Sequence, residues 1–271
     1  MAGDDVRSRR RGMPAPMPGT ARALAAMTMF HVRHLLSIPF FRQTALLTPV
    51  GFALLKILTA GWHADASVWF DAAVSGLWAT TTTATGIIGF QRFQGTLQYL
   101  ALGVRPAWTA FMPVVAASAL IGVAGLPAAL AVTLPFVQDG PGRDLPDRLA
   151  CWVVGYLLAV LSCCVSAAVL SSLFVLSRHA IAFETLIQTP MWLLCGIVTP
   201  IDALPAPVRA IARLFPLTYA VHAAQSGAAD ASLALEAAGC LALCLVYAAA
   251  AALGLRAALS RAMKEGTLDL S

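Results

Sequence analysis

Apolar residues run through this chain in long unbroken blocks, and the polar positions collect in the gaps between them. A block of about 20 residues is what a helix needs to cross a hydrocarbon core of ~30 Å. The pattern predicts six such spans, at about 43–61, 68–90, 108–137, 149–176, 180–200 and 233–255. The third is about ten residues longer than a straight crossing requires. Pro113, Pro127 or Pro135 must therefore bend it or end it early.

Other stretches carry different patterns. Residues 1–19 hold Arg7, Arg9, Arg10 and Arg11 followed by Pro14, Pro16 and Pro18, which reads as a disordered basic tail. A signal peptide would have an apolar region soon after those arginines, and prolines stand there instead. Residues 20–41 read as an amphipathic helix lying in the membrane interface. Leu24, Met27, Val32, Leu35 and Ile38 share one side, Arg22, Arg33 and Ser37 the other, and Pro39 is its stop. The membrane domain proper spans 42–258, and 259–271 is a short basic tail.

Two segments inside that domain are too polar or too short to be spans. In 91–106, a helix beginning near Gln94 places Leu97, Leu100 and Ala101 on one face and Gln94 and Gln98 on another, with Gly103 and Pro106 as its stop. By pattern alone this is either a short surface helix suited to a soluble partner or a solvated loop. In 201–230, Pro205 and Pro207 start a helix carrying Val208, Ile211 and Phe215 on one face, and Pro216 stops it. The apolar run 217–227 is too short to cross at ~1.5 Å per residue. It reads as re-entrant or interfacial.

Composition agrees with the pattern. The chain has 271 residues, 59% hydrophobic and 11% charged, with a mean hydropathy of +0.78. Soluble domains carry about 25% charged residues, so the class is all-α integral membrane. The net charge of +5 is not a nucleic-acid footprint, because the arginines sit beside apolar runs. With six spans, both termini, 91–106 and the turn near Arg178 share one side and hold most of the Lys and Arg. Only Arg143, Arg148, Arg209 and Arg213 fall opposite. The positive-inside rule puts both termini in the cytoplasm.

Candidate chemistry is sparse. Neither Lys56 nor Lys264 follows a glycine, so there is no P-loop. Gly-x-Ser-x-Gly and His-Glu-x-x-His are absent as well, which leaves no catalytic and no metal residues to name. The six cysteines fall in apolar spans and read as buried thiols. Thr81, Thr82 and Thr85 either line a path or bond back to their own helix. Lys56 and Asp71 either pair across one leaflet or snorkel independently. Glu184 stands four residues before Gln188 on one helical face, where it is a further candidate for the pathway.

Two local patterns carry a family resemblance. One is Gly95-Thr96-Leu97-Gln98-x-Leu100 with Pro106 following; the other is Gly196-Ile197-Val198-x-Pro200, Leu204-Pro205 and Leu214-Phe215-Pro216-Leu217-Thr218-Tyr219. With the six-span layout, the chain resembles the permease subunit of a type-2 ABC (ATP-binding-cassette) exporter, in the group of bacterial drug and antibiotic exporters. The resemblance implies six transmembrane helices, an N-terminal interfacial helix and a re-entrant helical pair before the last span. It makes 91–106 the coupling segment that meets the ATPase, through Arg92, Gln94, Gly95, Thr96, Leu97, Gln98, Leu100 and Arg105. It makes Gly196, Pro200, Pro205, Pro216, Thr218 and Tyr219 the re-entrant motif.

The implied partners are two copies of an ABC ATPase, a second permease subunit (homo- or heterodimeric) and the lipid bilayer, with no nucleic acid. This chain itself carries no cofactor; ATP and Mg act through the partner. The implied place is the bacterial cytoplasmic membrane. The implied cargo is an amphiphilic small molecule, with lipid or lipid-linked glycan as the alternative. Where family members carry acids, this chain has Gln91, Phe93 and Gln98, so charge pairing does not define its partner. The rival class, an ion-coupled secondary transporter, calls for ionisable residues near the bilayer midplane. Lys56, Asp71, Glu184 and Glu236 all fall nearer span ends.

Overall fold

The chain's computed structural model describes residues 20–84, 86–87, 107–137, 145–174 and 180–264. The tails 1–19 and 265–271, the segment 91–106 and Thr85 lie outside these residues. Among the described residues the regular structure is helical, apart from one isolated parallel bridge between Ala64 and Val137. The helices are α1 Thr20–Ser37, α2 Pro39–Thr59, α3 Val68–Thr82, α4 Ala107–Leu120, α5 Gly125–Thr133, α6 Leu145–Phe174, α7 Ala180–Leu194, α8 Ala206–Ala212, α9 Pro216–Gln225 and α10 Ala231–Lys264. Short 3₁₀ turns occupy Ile121–Ala124, Leu134–Phe136 and Ile201–Ala203.

Among the described residues, four stretches are long and apolar enough to cross a membrane: Pro39–Thr59, Phe111–Phe136, Leu145–Leu173 and Ala231–Ala257. α3 and α7 are each 15 residues over their described helical length, below what a full crossing needs. Several expected boundaries move, each for a local reason. The first span begins at Pro39, because a proline at the first helical position costs no backbone hydrogen bond. Pro39 thus ends α1 and starts α2. α7 stops at Leu194, short of the expected Pro200, because Gly196 takes a φ of +85°. α10 runs on to Lys264, so the start of the basic tail is helical.

The overlong third run is broken at Ile121–Ala124. That site is one turn before Pro127, where the missing proline N–H leaves the Val123 carbonyl without its helical donor. Pro113 sits inside α4 without ending it, and Pro135 lies in the 3₁₀ turn that closes the run.

α3 is the hub. Fourteen of its residues are buried, which fits a helix apolar or small all round. It is wrapped by α2, α4, α5, α6 and α7. Small residues let the neighbours approach closely, as packing without a hydrophobic drive between helices requires. Pro49 of α2 is wedged between Gly76 of α3 and Gly125 of α5; a methyl on Gly76 would lie 2.9 Å from the Pro49 ring. Gly125 also sits over the Ala45 carbonyl, the acceptor that Pro49 strips of its helical partner. Thr80, Thr81, Thr82 and Thr83 are buried here. Their hydroxyls donate back within the helix, Thr81 to the Leu77 carbonyl at 2.7 Å and Thr82 to that of Ala79 at 2.8 Å.

α1 packs against α4 and carries Ala23 and Leu35 inward, while Arg22, Arg33 and Ser37 are exposed. The outer faces of α2 and α10 are the opposite case. Leu47, Leu55, Leu58, Leu235, Leu245 and Leu253 are all more than half exposed, which suits acyl chains rather than water. The six cysteines are free thiols, five of them buried and Cys164 partly so.

Candidate functional site

The most elaborated region follows α7, where the chain turns back and forms a helical hairpin instead of leaving the bundle. Gly196, at φ +85°, makes the turn, and an added Cβ would press on Ile201 at 3.2 Å. Pro200 then opens the 3₁₀ turn and Pro205 the helix α8, both extended at ψ near 140° as N-cap positions require. Arg209 folds back so that its Nη2 donates to the Asp202 and Leu204 carbonyls, each at 3.2 Å. α8 ends at Ala212, ahead of Pro216, so this proline is the first residue of α9 rather than the stop of α8.

α9 is held on three sides. The Thr218 hydroxyl donates to the Ala212 carbonyl at 2.7 Å, which locks the α8–α9 corner. Cys240 of α10 lies against the Pro216 carbonyl at 3.4 Å, and the Tyr247 hydroxyl donates to the Leu214 carbonyl at 3.3 Å. Gln225 Nε2 reaches the Gly196 carbonyl at 3.4 Å and joins the two ends of the hairpin. One edge of the Tyr219 ring lies against Gly239, where a methyl would come within 2.8 Å of Cδ1 and Cε1. Seven of the ten α9 residues are buried, so the short apolar helix replaces lipid with protein on its inner side.

The tightest contact is with α6. A methyl on Gly155 would lie 2.6 Å from Ala224 Cβ and 2.9 Å from the Ala220 carbonyl oxygen. Gly155→Leu is therefore expected to lever α9 off α6 and to cost at least ~1–3 kcal/mol, as overpacking does. Faster proteolysis within 201–230 and a lower unfolding temperature would report it. Gly51→Leu should leave both unchanged, because nothing lies within 4 Å of that position.

Two polar cavities flank the hairpin. One, of about 570 Å³, is lined by Phe52, Lys56, His63, Asp65, Asp71 and Gln225, together with the Gly196–Pro200 turn. On its wall Lys56 and Asp71 form an ion pair and hydrogen bond, which settles the two sequence readings in favour of pairing. Lys56 also lies 5.7 Å from the Phe52 ring centroid, a cation–π approach. The other, of about 340 Å³, is lined by Arg213, Thr218, Tyr219, His222, Leu235 and Glu236. Near it, Asp230 caps α10 by accepting from the Ser232 hydroxyl at 2.6 Å and its N–H at 2.9 Å. Those hydrogen bonds, the hydroxyl first, hold its carboxyl below the usual range. A third cavity, of about 420 Å³ and apolar, lies between α4, α6 and α10, with Arg256 at its edge.

The re-entrant motif residues Gly196, Pro200, Pro205, Pro216, Thr218 and Tyr219 are thus gathered into one hairpin. Thr81 and Thr82 are interior residues of α3. The coupling residues Arg92, Gln94, Gly95, Thr96, Leu97, Gln98, Leu100 and Arg105, with Thr85 and the side chain of Glu184, lie outside the described set. Sequence reasoning missed Gly155, Gly239 and the approach of His222 to Glu236. The first two had no signal beyond being glycines in apolar helices, and the third joins residues in separate helices.

Residues 25–228 match the family described as ABC-2 type transporter. That is well over half of the chain, and the protein belongs to the ABC-2 type transporter family. It is a multi-pass membrane permease of an ABC transporter, a kind of subunit that works with an ABC ATPase. No curated protein matches the chain.

Proposed function

We propose that this chain is the translocation subunit of an ATP-driven exporter in a bacterial cytoplasmic membrane, moving an amphiphilic small molecule such as a drug or antibiotic. The observation that carries the reading is the family match over residues 25–228. A chain with no P-loop supports placing ATP and Mg on a separate ATPase. Two permease subunits and two ATPases make the working unit. Six spans, formed by α2, α3, 107–137, α6, α7 and α10, set both termini and 91–106 in the cytoplasm and the hairpin at the outer face. The excess of Lys and Arg on the terminal side supports that orientation.

In this mechanism the ATPases hold 91–106 differently in their open and closed states. That difference in contact free energy shifts the permease between inward- and outward-open forms. α3, which precedes the coupling segment and is packed on five helices, is the element that carries a push from the cytosol into the bundle. The hairpin α8–α9 closes the outer end.

The test is reconstitution. Liposomes holding the permease with its ATPase are expected to accumulate an amphiphilic dye only with hydrolysable ATP. Uphill flux by the permease alone from an ion gradient, with no nucleotide, would overturn the reading.

A further inference from the structure

The 340 Å³ cavity between α9 and the start of α10 has a charge pattern that no packing role explains. Arg213 contributes a fixed positive charge, His222 a titratable base and Glu236 a carboxylate. His222 Nδ1 and Glu236 Oε1 stand 3.9 Å apart, too far for a direct hydrogen bond and close enough for both to touch one bound group. Their side chains are 27% and 30% exposed, so the pair is drawn partly out of solvent with no hydrogen bond between the two groups. Arg213 makes no ion pair among the described residues.

The cavity's depth identifies the solvent it opens to. Asp230 caps α10 at its polar end, and Glu236 lies six residues further on, which is ~9 Å along a helix. The polar layer between water and hydrocarbon is about 5–8 Å thick on each side of a bilayer. With Asp230 at the aqueous edge, Glu236 sits just below the headgroup layer, in the second turn of the apolar stretch Ala231–Ala257. The surroundings agree: Leu235, which lines the cavity beside Glu236, is 73% exposed, as suits a residue facing acyl chains.

We propose that this cavity binds the headgroup of a zwitterionic phospholipid, phosphatidylethanolamine. Its phosphate meets Arg213 and its primary ammonium meets Glu236, with His222 between them. A purely anionic headgroup would set its charge against Glu236, and a purely cationic one against Arg213. The ammonium of ethanolamine offers three N–H donors, whereas the quaternary nitrogen of choline offers none. Ethanolamine is thus favoured over choline by hydrogen bonding and not by charge. A lipid held here would brace the hairpin against α10, where Tyr219 already rests on Gly239.

The experiment uses the full chain, purified and stripped of lipid, with binding read by native mass spectrometry. Phosphatidylethanolamine, phosphatidylcholine and phosphatidylglycerol are added at equal concentration, and soluble phosphoethanolamine separately. The expected result is retention of phosphatidylethanolamine at least five-fold above the other two lipids. Arg213→Gln and Glu236→Gln should each weaken it about ten-fold, with unchanged unfolding temperature in the absence of lipid. Arg256→Gln, at the far end of α10, should leave it intact. Equal retention of the three lipids, retention in both variants, or soluble phosphoethanolamine binding as tightly as the lipid would each overturn the proposal. The outcome is independent of whether the chain exports anything.

Discussion

A Leu97→Asp, Leu100→Asp variant is expected to lose the partner ATPase altogether while still inserting in the membrane. These leucines form the apolar face of the coupling segment as the sequence reads it, and the residues around them are mostly uncharged. Burying a leucine side chain contributes about 1.5–3 kcal/mol, so removing two forfeits roughly 3–6 kcal/mol of docking. Each 1.4 kcal/mol is about ten-fold in affinity. The loss is then at least about a hundred-fold, before any cost of pressing carboxylates onto an apolar socket. Gln94→Ala and Gln98→Ala, which each remove one uncharged polar group from the other face, should weaken binding far less than the double Asp change. Co-purification from membranes, with the amount of inserted permease as control, decides it. Undiminished ATPase recovery from the double Asp variant would remove 91–106 from the interface.

The second large effect concerns the ion pair between α2 and α3. Asp71 is almost fully buried, with its side chain 8% exposed, whereas that of Lys56 is 26% exposed. Removing one member of a buried pair leaves the other uncompensated and typically costs about 3–5 kcal/mol. The asymmetry in exposure predicts an asymmetry in outcome. Lys56→Met strands a carboxylate inside the bundle and should approach that full cost. Asp71→Asn strands an ammonium on a flexible stem that can reach the polar cavity, so it should cost less than half as much. The double change Lys56→Met with Asp71→Leu should recover most of the loss, because apolar replacement of a buried pair is often neutral. Unfolding temperatures of the purified variants would test the order. Equal losses for the two single variants would mean that the pair is solvated in the membrane.

Both predictions rest on different kinds of knowledge, and the contrast runs through the molecule. The helical membrane class, the amphipathic α1 and the hairpin's helices were legible in the chain, because run length, period and proline placement are local properties. The resemblance carried by Gly196 to Tyr219 was legible too, since it depends on residue types at fixed spacing, and the match over 25–228 places it in its family. Local pattern left the choice among Pro113, Pro127 and Pro135 open. The break came at Ile121–Ala124, where Gly122 and Gly125 let the bent run press against Leu77, Thr80 and Pro49.

By itself the sequence determined which residues leave water and where helices can begin and end, since hydrophobic period and backbone chemistry act within a few turns. Only the tertiary structure decided that α3 would be the buried hub, that Lys56 would choose Asp71, and that Gly155 and Gly239 would be docking points for α9. It alone brought Arg213, His222 and Glu236 to one cavity. Those outcomes depend on which helix faces meet. In a membrane that choice is made by close packing and by satisfying polar groups, because apolar surface alone gains nothing by leaving lipid for protein.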